Sequence, residues 1–186
     1  MAEYEEDLYC AAYDGNVVEV EKYLARGTSV NCKPYSNNQT PLHVTKDIEV
    51  ALILIQNGAD VNSRDSNVSM CYVDQTPLHA AKDIEVAEIL IYNGADVNSR
   101  ERNVSIYFVG DTPLHLAVKH GECATVEDLI CRGADIAASN NKNQTSLHMA
   151  TDNMDIETAQ ILIQNGADVN SRDEHVSKYN VNKLTM

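Results

Sequence analysis

Short blocks of apolar and polar residues recur along this chain with a long period. The block 83–100, DIEVAEILIYNGADVNSR, returns with few substitutions at 47–64 and 155–172, and more loosely at 124–137. Within each copy the apolar positions recur every three to four residues and stop before a glycine, which predicts a helix with a left-handed C-terminal cap. In the copy at 47–64 the apolar surface is wide, so we expect that helix to be covered on several sides; one face has Ile48, Ala51, Leu52 and Ile55, with Val50, Ile53 and Leu54 beside it. Self-similarity at a period of about 20–50 residues indicates a repeat protein.

A second fixed phrase precedes each block. It reads Thr-Pro-Leu-His at 40–43, 76–79 and 112–115, and Thr-Ser-Leu-His at 145–148. Threonine is a good N-cap, and proline costs little at the first helical position, so each phrase predicts the start of a helix. Before the first of these phrases, we expect a helix that carries Leu8, Ala11 and Ala12, followed by a turn at 14–16. A second helix should follow, with one face formed by Val17, Val18, Val20, Tyr23 and Leu24.

The units differ in length at two places. The glycine lies 18 residues after the threonine at Thr40 and Thr76, but 21 residues after Thr112 and Thr145. Because the missing residues fall around 46–47 and 82–83, we expect the first helix of those two units to lose most of a turn. The glycine-to-threonine connection grows instead from 12 to 18 residues, which places six extra residues within 66–74 and 102–110.

Thr-Pro-Leu-His followed about 21 residues later by Gly-Ala-Asp-Val-Asn resembles the ankyrin repeat. The resemblance covers essentially the whole chain and implies an all-α repeat solenoid of stacked helix-turn-helix units with projecting β-hairpin fingers. We therefore expect a single domain over 1–186. Its repeats are a capping repeat at about 5–39, then 40–75, 76–111, 112–144 and 145–178, with a tail at 179–186.

The composition limits the kinds of partner and of cellular compartment that we expect. The formal net charge of −14 repels phosphate backbones, so we expect no nucleic-acid binding, and it would steer a basic partner. The five cysteines are odd in number and show no CxxC spacing, which favours reduced thiols in the cytoplasm. We expect no secretory signal and no membrane span. The family also occurs in proteins sent into host cells, so the host cytosol is a second candidate compartment.

The polar motifs favour structure over catalysis. Four histidines (His43, His79, His115 and His148) stand one per unit in the helix-start phrase, where the family resemblance implies a structural hydrogen bond with the threonine. The Asp-Val-Asn triplets at 60–62, 96–98 and 168–170 are interpreted as turns. Since no catalytic constellation can be assembled, we expect no enzyme, no metal and no cofactor.

We therefore expect a protein-binding module. Its contacts would lie on the concave groove and long fingers, at Tyr35, Met70, Tyr72, Ile106, Tyr107, Phe108 and Lys119, because aromatic residues and methionine are enriched in interfaces. The finger residues could equally pack on each other. Two further hypotheses are self-association through the uncapped fifth repeat, near Ile161, Leu162 and Ile163, and a targeting role within a longer host-directed effector or adaptor.

Overall fold

The computed structural model describes residues 4–66, 74–81, 83–101 and 110–173. The chain divides into two compact units, Met1–Asp96 and Val97–Met186. Within the described residues no helix is long and apolar enough to cross a membrane. The helices of that part are α1 Glu5–Tyr13, α2 Val17–Ala25, α3 Pro41–Val44, α4 Ile48–Gln56, α5 Pro77–Ala80, α6 Ile84–Tyr92, α7 Pro113–His120, α8 Cys123–Cys131, α9 Ser146–Asp152 and α10 Ile156–Gln164.

Helices pack in pairs, and the pairs stack. Each odd-numbered helix contacts the even-numbered helix that follows it. In the first unit α1, α3 and α5 form one layer and α2, α4 and α6 form a second. In the other unit α7 packs on α9, and α8 packs on α10. These stacked helix-turn-helix pairs confirm the predicted fold class, the all-α repeat solenoid; the single-domain organisation of the repeats stays a prediction.

The core lies between the two helical layers of each unit. The leucine of every helix-start phrase is buried, at Leu42, Leu78, Leu114 and Leu147. The predicted first-helix face of Leu8, Ala11 and Ala12 is also buried. The second helices contribute fully or almost fully buried residues at equivalent positions, namely Val20, Val50, Ala51, Leu54, Val86, Ala87, Leu90, Val126, Leu129, Ala159 and Leu162.

The face predicted for the second helices was partly wrong. Val18 is 72% exposed, and on α4 Ile48 and Leu52 are 39% and 37% exposed, while Val50 and Leu54 have no exposed surface. The second helices form the outer layer, so one side of each faces solvent even where that side is apolar. An apolar residue on such a helix is therefore not always a core residue.

The predicted shortening of two first helices is confirmed. Helices α3 and α5 have four residues, whereas α7 has eight and α9 has seven. The backbone leaves α3 at Thr45 in an extended conformation, φ −69° and ψ 141°, and the next helix starts directly with Asp47 as its N-cap. Helix α7 instead ends at Gly121 in the left-handed region, φ 73°. The missing residues thus remove both the last turn of the helix and the glycine turn.

The fingers show little sheet in the described part of the chain. The finger of the fourth repeat is closed by one antiparallel bridge, between Ser139 and Thr145, and its tip turns at Asn143 with φ 55°. Most of the two long fingers, 67–73 and 102–109, lies outside the described residues.

Candidate functional site

A threonine and a histidine cap the start of four first helices. At α7 the hydroxyl of Thr112 lies 2.8 Å from Nδ1 of His115, and the Thr112 backbone N–H donates to that nitrogen at 3.2 Å. The His115 backbone N–H donates in return to the Thr112 hydroxyl at 3.4 Å. The structural role predicted for these histidines is confirmed. Hydroxyl-to-Nδ1 distances are 2.8, 2.8 and 3.0 Å in the pairs Thr40–His43, Thr76–His79 and Thr145–His148.

The capping geometry decides the protonation state of these rings. Because a backbone N–H can only donate, Nδ1 accepts, and the imidazole is neutral with its proton on Nε2. Nε2 of His43 then donates to the Gln75 carbonyl at 3.1 Å, and that of His115 to the Gln144 carbonyl at 3.1 Å. Burial lowers the pKa of His43 to about 4, and it also lowers the pKa of His115 and His148. These histidines tie helix starts to neighbouring loops.

Loop asparagines join successive repeats. Nδ2 of Asn62 donates to the Gly94 carbonyl at 3.0 Å, and its Oδ1 accepts from the Asp96 backbone N–H at 2.9 Å. The fourth repeat has Ala137 at this position and lacks the amide. Asn31 makes the same two bonds to Gly58 and Asp60, and Asn98 makes them to Gly133 and Asp135. We call these three residues, Asn31, Asn62 and Asn98, the asparagine ladder.

The carboxylates of the Asp-Val-Asn triplets serve the loops, as predicted. Oδ1 of Asp60 accepts the Asn62 backbone N–H at 2.9 Å, and Oδ1 of Asp168 accepts that of Asn170 at 2.8 Å. Within the described residues no three histidine, cysteine or acidic side chains gather in a group that could hold a metal ion. The repeated polar residues are therefore used to build turns and caps.

The finger bases show how the length difference is absorbed. Asp65 donates its backbone N–H to the Gln75 carbonyl at 3.0 Å, so nine residues, 66–74, lie between the closing pair. Asn140 and Gln144 make the equivalent bond at 2.9 Å around only three residues, 141–143. The difference is the six residues predicted from the sequence. Oδ1 of the buried Asp65 accepts the Gln75 backbone N–H at 2.8 Å, and this second bond between the two residues holds the long finger at its base.

Two of the predicted contact residues can be placed. Tyr35 is 39% exposed and packs edge-on against Tyr9, with ring centroids 5.0 Å apart. Lys119 is exposed in the last turn of α7. They belong to different units. The remaining predicted residues, Met70, Tyr72, Ile106, Tyr107 and Phe108, lie outside the described part of the chain, and their role stays a prediction.

An open space beside Tyr35 was missed by the sequence reasoning. It has a volume of about 380 Å³ and is lined by Tyr9, Cys10, Tyr13, Asp14, Gln39 and Val44. We call it the tyrosine notch. Val44 is the last residue of α3, so the notch adjoins the place where the missing turn would continue. The signal was present in the sequence: two tyrosines four residues apart on α1, in the repeat before the shortened helix.

Polar contacts fix the tyrosines around the notch. The Tyr9 hydroxyl donates to Oε1 of Gln39 at 3.0 Å, and the Tyr35 hydroxyl lies 3.7 Å from Sγ of Cys10. The contact with Cys10 and partial desolvation raise the pKa of Tyr35 to about 12, with a smaller contribution from the Glu6 carboxylate. Burial raises the pKa of Tyr9. Both hydroxyls therefore stay neutral, and the rings present an uncharged aromatic surface.

A comparison with known protein families identifies the same repeats. The family model for ankyrin repeats (3 copies) matches residues 8–101, 46–140 and 80–173, which overlap across most of the sequence. No curated protein matches the chain. Ankyrin repeats are generally protein–protein interaction modules and are typically non-catalytic.

Proposed function

Since the chain belongs to the ankyrin repeat family, we propose that it is a non-catalytic module that binds a partner protein through its first helices and finger loops. The observation that carries this proposal is the aromatic cluster at one edge of the first unit. Tyr13 and Tyr35 are 57% and 39% exposed there, and the half-buried Tyr9 contacts the Tyr35 ring. Partly exposed aromatic residues are the ones enriched at the centres of interfaces.

The division of labour within the repeats supports the same proposal. The histidines, the asparagine ladder and the loop aspartates are used in capping and in joining repeats. We propose that the residues that differ between repeats, at the first-helix ends and in the fingers, make contacts with the partner. With a formal net charge of −14, a basic surface or segment is the complementary partner.

Proteins captured from a cell lysate by the immobilised wild-type chain can be compared with those held by the double variant Tyr72→Ala/Phe108→Ala. The proposal expects the double variant to lose partners that wild type retains. Tyr92→Ala is the matched control, because Tyr92 is 83% exposed on an outer helix. Equal capture by all three chains would refute a finger contact. A fall in Tm above about 8 °C would instead make the two residues core, since ~1 kcal/mol shifts Tm by ~2–4 °C at this size.

Self-association through the fifth repeat is the second candidate, and of the residues named for it Ile161 and Ile163 are half-buried. Leu162 is fully buried, whereas Met154 and Ile156 of the fifth repeat are 79% and 46% exposed. Asn170 is exposed at the ladder position from which Asn62 binds the following repeat. Light scattering over a range of concentrations separates the candidates: a constant monomer mass excludes self-association, and a rising mass that Asn170→Ala reverses supports it.

We also propose a reducing compartment, the cytoplasm or the cytosol of a host cell. The four cysteines in the described residues carry free thiols, and burial raises the pKa of Cys32 to about 12. Within the described residues no disulfide joins the repeats. Mass spectrometry of the protein alkylated in intact cells measures the state directly, and oxidised cysteines in the native source would contradict this placement.

A further inference from the structure

The tyrosine notch exists because two neighbouring helices differ in length. Helix α1 has nine residues and packs beside α3, which has four. The last turn of α1, with Cys10 and Tyr13, therefore extends past Val44, and both sides line the notch. Its volume of about 380 Å³ lies at the small end of the roughly 300–1,000 Å³ typical of ligand pockets, which suits a single long side chain.

The lining has the chemistry that attracts a cation. The faces of tyrosine rings are negative, and they attract ammonium and guanidinium groups placed within about 6 Å of the ring centroid. Tyr9 and Tyr13 line the notch, and Tyr35 packs on Tyr9 at its edge. The acidic residue Asp14 also lines the notch, as does Gln39, whose amide oxygen accepts from Tyr9.

The chain itself already places a cation on one of these rings. The ammonium nitrogen of Lys46 lies 5.4 Å from the centroid of the Tyr13 ring. Lys46 follows the shortened α3, in the segment that replaces its missing turn, and its side chain is exposed. Because a lysine can move away at little cost, it would compete with an incoming cation for the same ring.

The surrounding field favours a positive ligand as well. The contact with Cys10 is the main cause of the raised pKa of Tyr35, and burial is the main cause of the raised pKa of Tyr9; the carboxylates of Glu6 and Asp65 add smaller contributions in the same direction. The negative charges of these two carboxylates also attract cations.

We propose that the tyrosine notch binds a basic side chain, an arginine or a lysine, from a segment of the partner protein. This inference rests on the proposed protein-binding function and assigns to it one pocket and one ligand chemistry. Arginine suits the site best, because its planar guanidinium stacks on aromatic rings and carries less hydration than an ammonium group.

The probe is N-acetyl-arginine amide, followed by NMR of the wild-type chain with ¹³C-labelled tyrosine. Its matched control is N-acetyl-citrulline amide, which has nearly the same shape and no charge. We expect saturable shifts of the notch tyrosines, with a dissociation constant on the order of millimolar for a single side chain. The citrulline compound should bind at least about tenfold more weakly. Equal binding of the two compounds would overturn the proposal.

Three variants test the location. Tyr13→Leu should weaken arginine binding at least about threefold, whereas Tyr92→Leu, on the outer layer, should leave it unchanged. Lys46→Gln should strengthen it about two- to fivefold, the worth of one exposed cation–π contact. Weaker binding by Lys46→Gln, or no effect of Tyr13→Leu, would overturn the proposal. Circular dichroism verifies that Tyr13→Leu folds. If this variant does not fold, the arginine binding of Lys46→Gln still tests the proposal.

Failure here is separable from failure of the protein-binding function. If the chain captures a partner but its notch ignores the arginine compound, the notch proposal is wrong and the protein-binding function stands. If the notch binds arginine and no partner is captured, the notch proposal stands by itself. Competition of the arginine compound with a captured partner would connect the two.

Discussion

The buried histidine caps make the stability of this protein depend on pH in a window above the carboxylate range. His43 is 4% exposed, and burial lowers its pKa from about 6.5 to about 4. The carbonyl of Gln75 and the charge of Asp60 oppose this shift, and Lys33 adds to it. Between the two pKa values the unfolded chain binds more protons at this ring than the folded chain, so unfolding becomes more favourable as pH falls.

The magnitude follows from the two pKa values. Well above pH 6.5 the ring is neutral in both the folded and the unfolded state, so it does not change the free energy of unfolding there. At pH 5 the unfolded ring is almost fully protonated and the folded ring is mostly neutral, which removes about 2 kcal/mol of the free energy of unfolding relative to pH 7. The pKa values of His115 and His148 are lowered in the same direction, so their losses add to this one.

Urea denaturation at pH 7, 6 and 5, followed by circular dichroism, measures this loss. We expect the free energy of unfolding to fall steadily over the three pH values. His43→Gln removes one titrating ring, so its loss between pH 7 and pH 5 should be about 2 kcal/mol smaller than that of wild type, whatever its absolute stability. His120→Gln is the control, because His120 is exposed at the end of α7. Equal pH dependence in wild type and His43→Gln would refute the assignment.

Further variants test the packing and the ladder by thermal denaturation. Leu54→Ala should cost about 2–5 kcal/mol because Leu54 is fully buried, and Leu52→Ala at most about 1 kcal/mol; equal costs would contradict the burial. Asn62→Ala should lower Tm by about 2–4 °C, and Ala137→Asn should raise it by supplying the missing ladder amide. Cys32 should resist thiol reagents at pH 8 in the folded protein, and rapid labelling would contradict its raised pKa.

The elements that depend on local spacing could be predicted from the sequence. The threonine caps predicted the helix starts, and the glycines predicted the helix ends. The missing residues before Asp47 predicted the short α3. Each of these features is decided within a few residues of the chain. The exposed side of α4 could not be predicted so directly. Leu52 and Leu54 are the same residue type on one helix, and only the packing of the layers shows which of them faces solvent.

The tyrosine notch required a comparison between repeats. Its lining comes from α1, the first finger and the end of α3. A search for periodic apolar residues describes what each helix contains, and it does not show the space left where one helix is shorter than its neighbour. Setting the length of α3 against the aromatic residues of α1 would have indicated the notch from the sequence alone.

Because the finger bases are closed by backbone hydrogen bonds, this fold can accept inserted segments in its fingers. The pair Asp65–Gln75 closes nine residues, and the pair Asn140–Gln144 closes three with the same backbone bond. Even at the full entropic cost of a flexible loop, going from three residues to nine costs only ~1 kcal/mol. A designer could therefore replace residues 66–74 by a foreign binding loop of similar length, and Asp65 and Gln75 would anchor both of its ends.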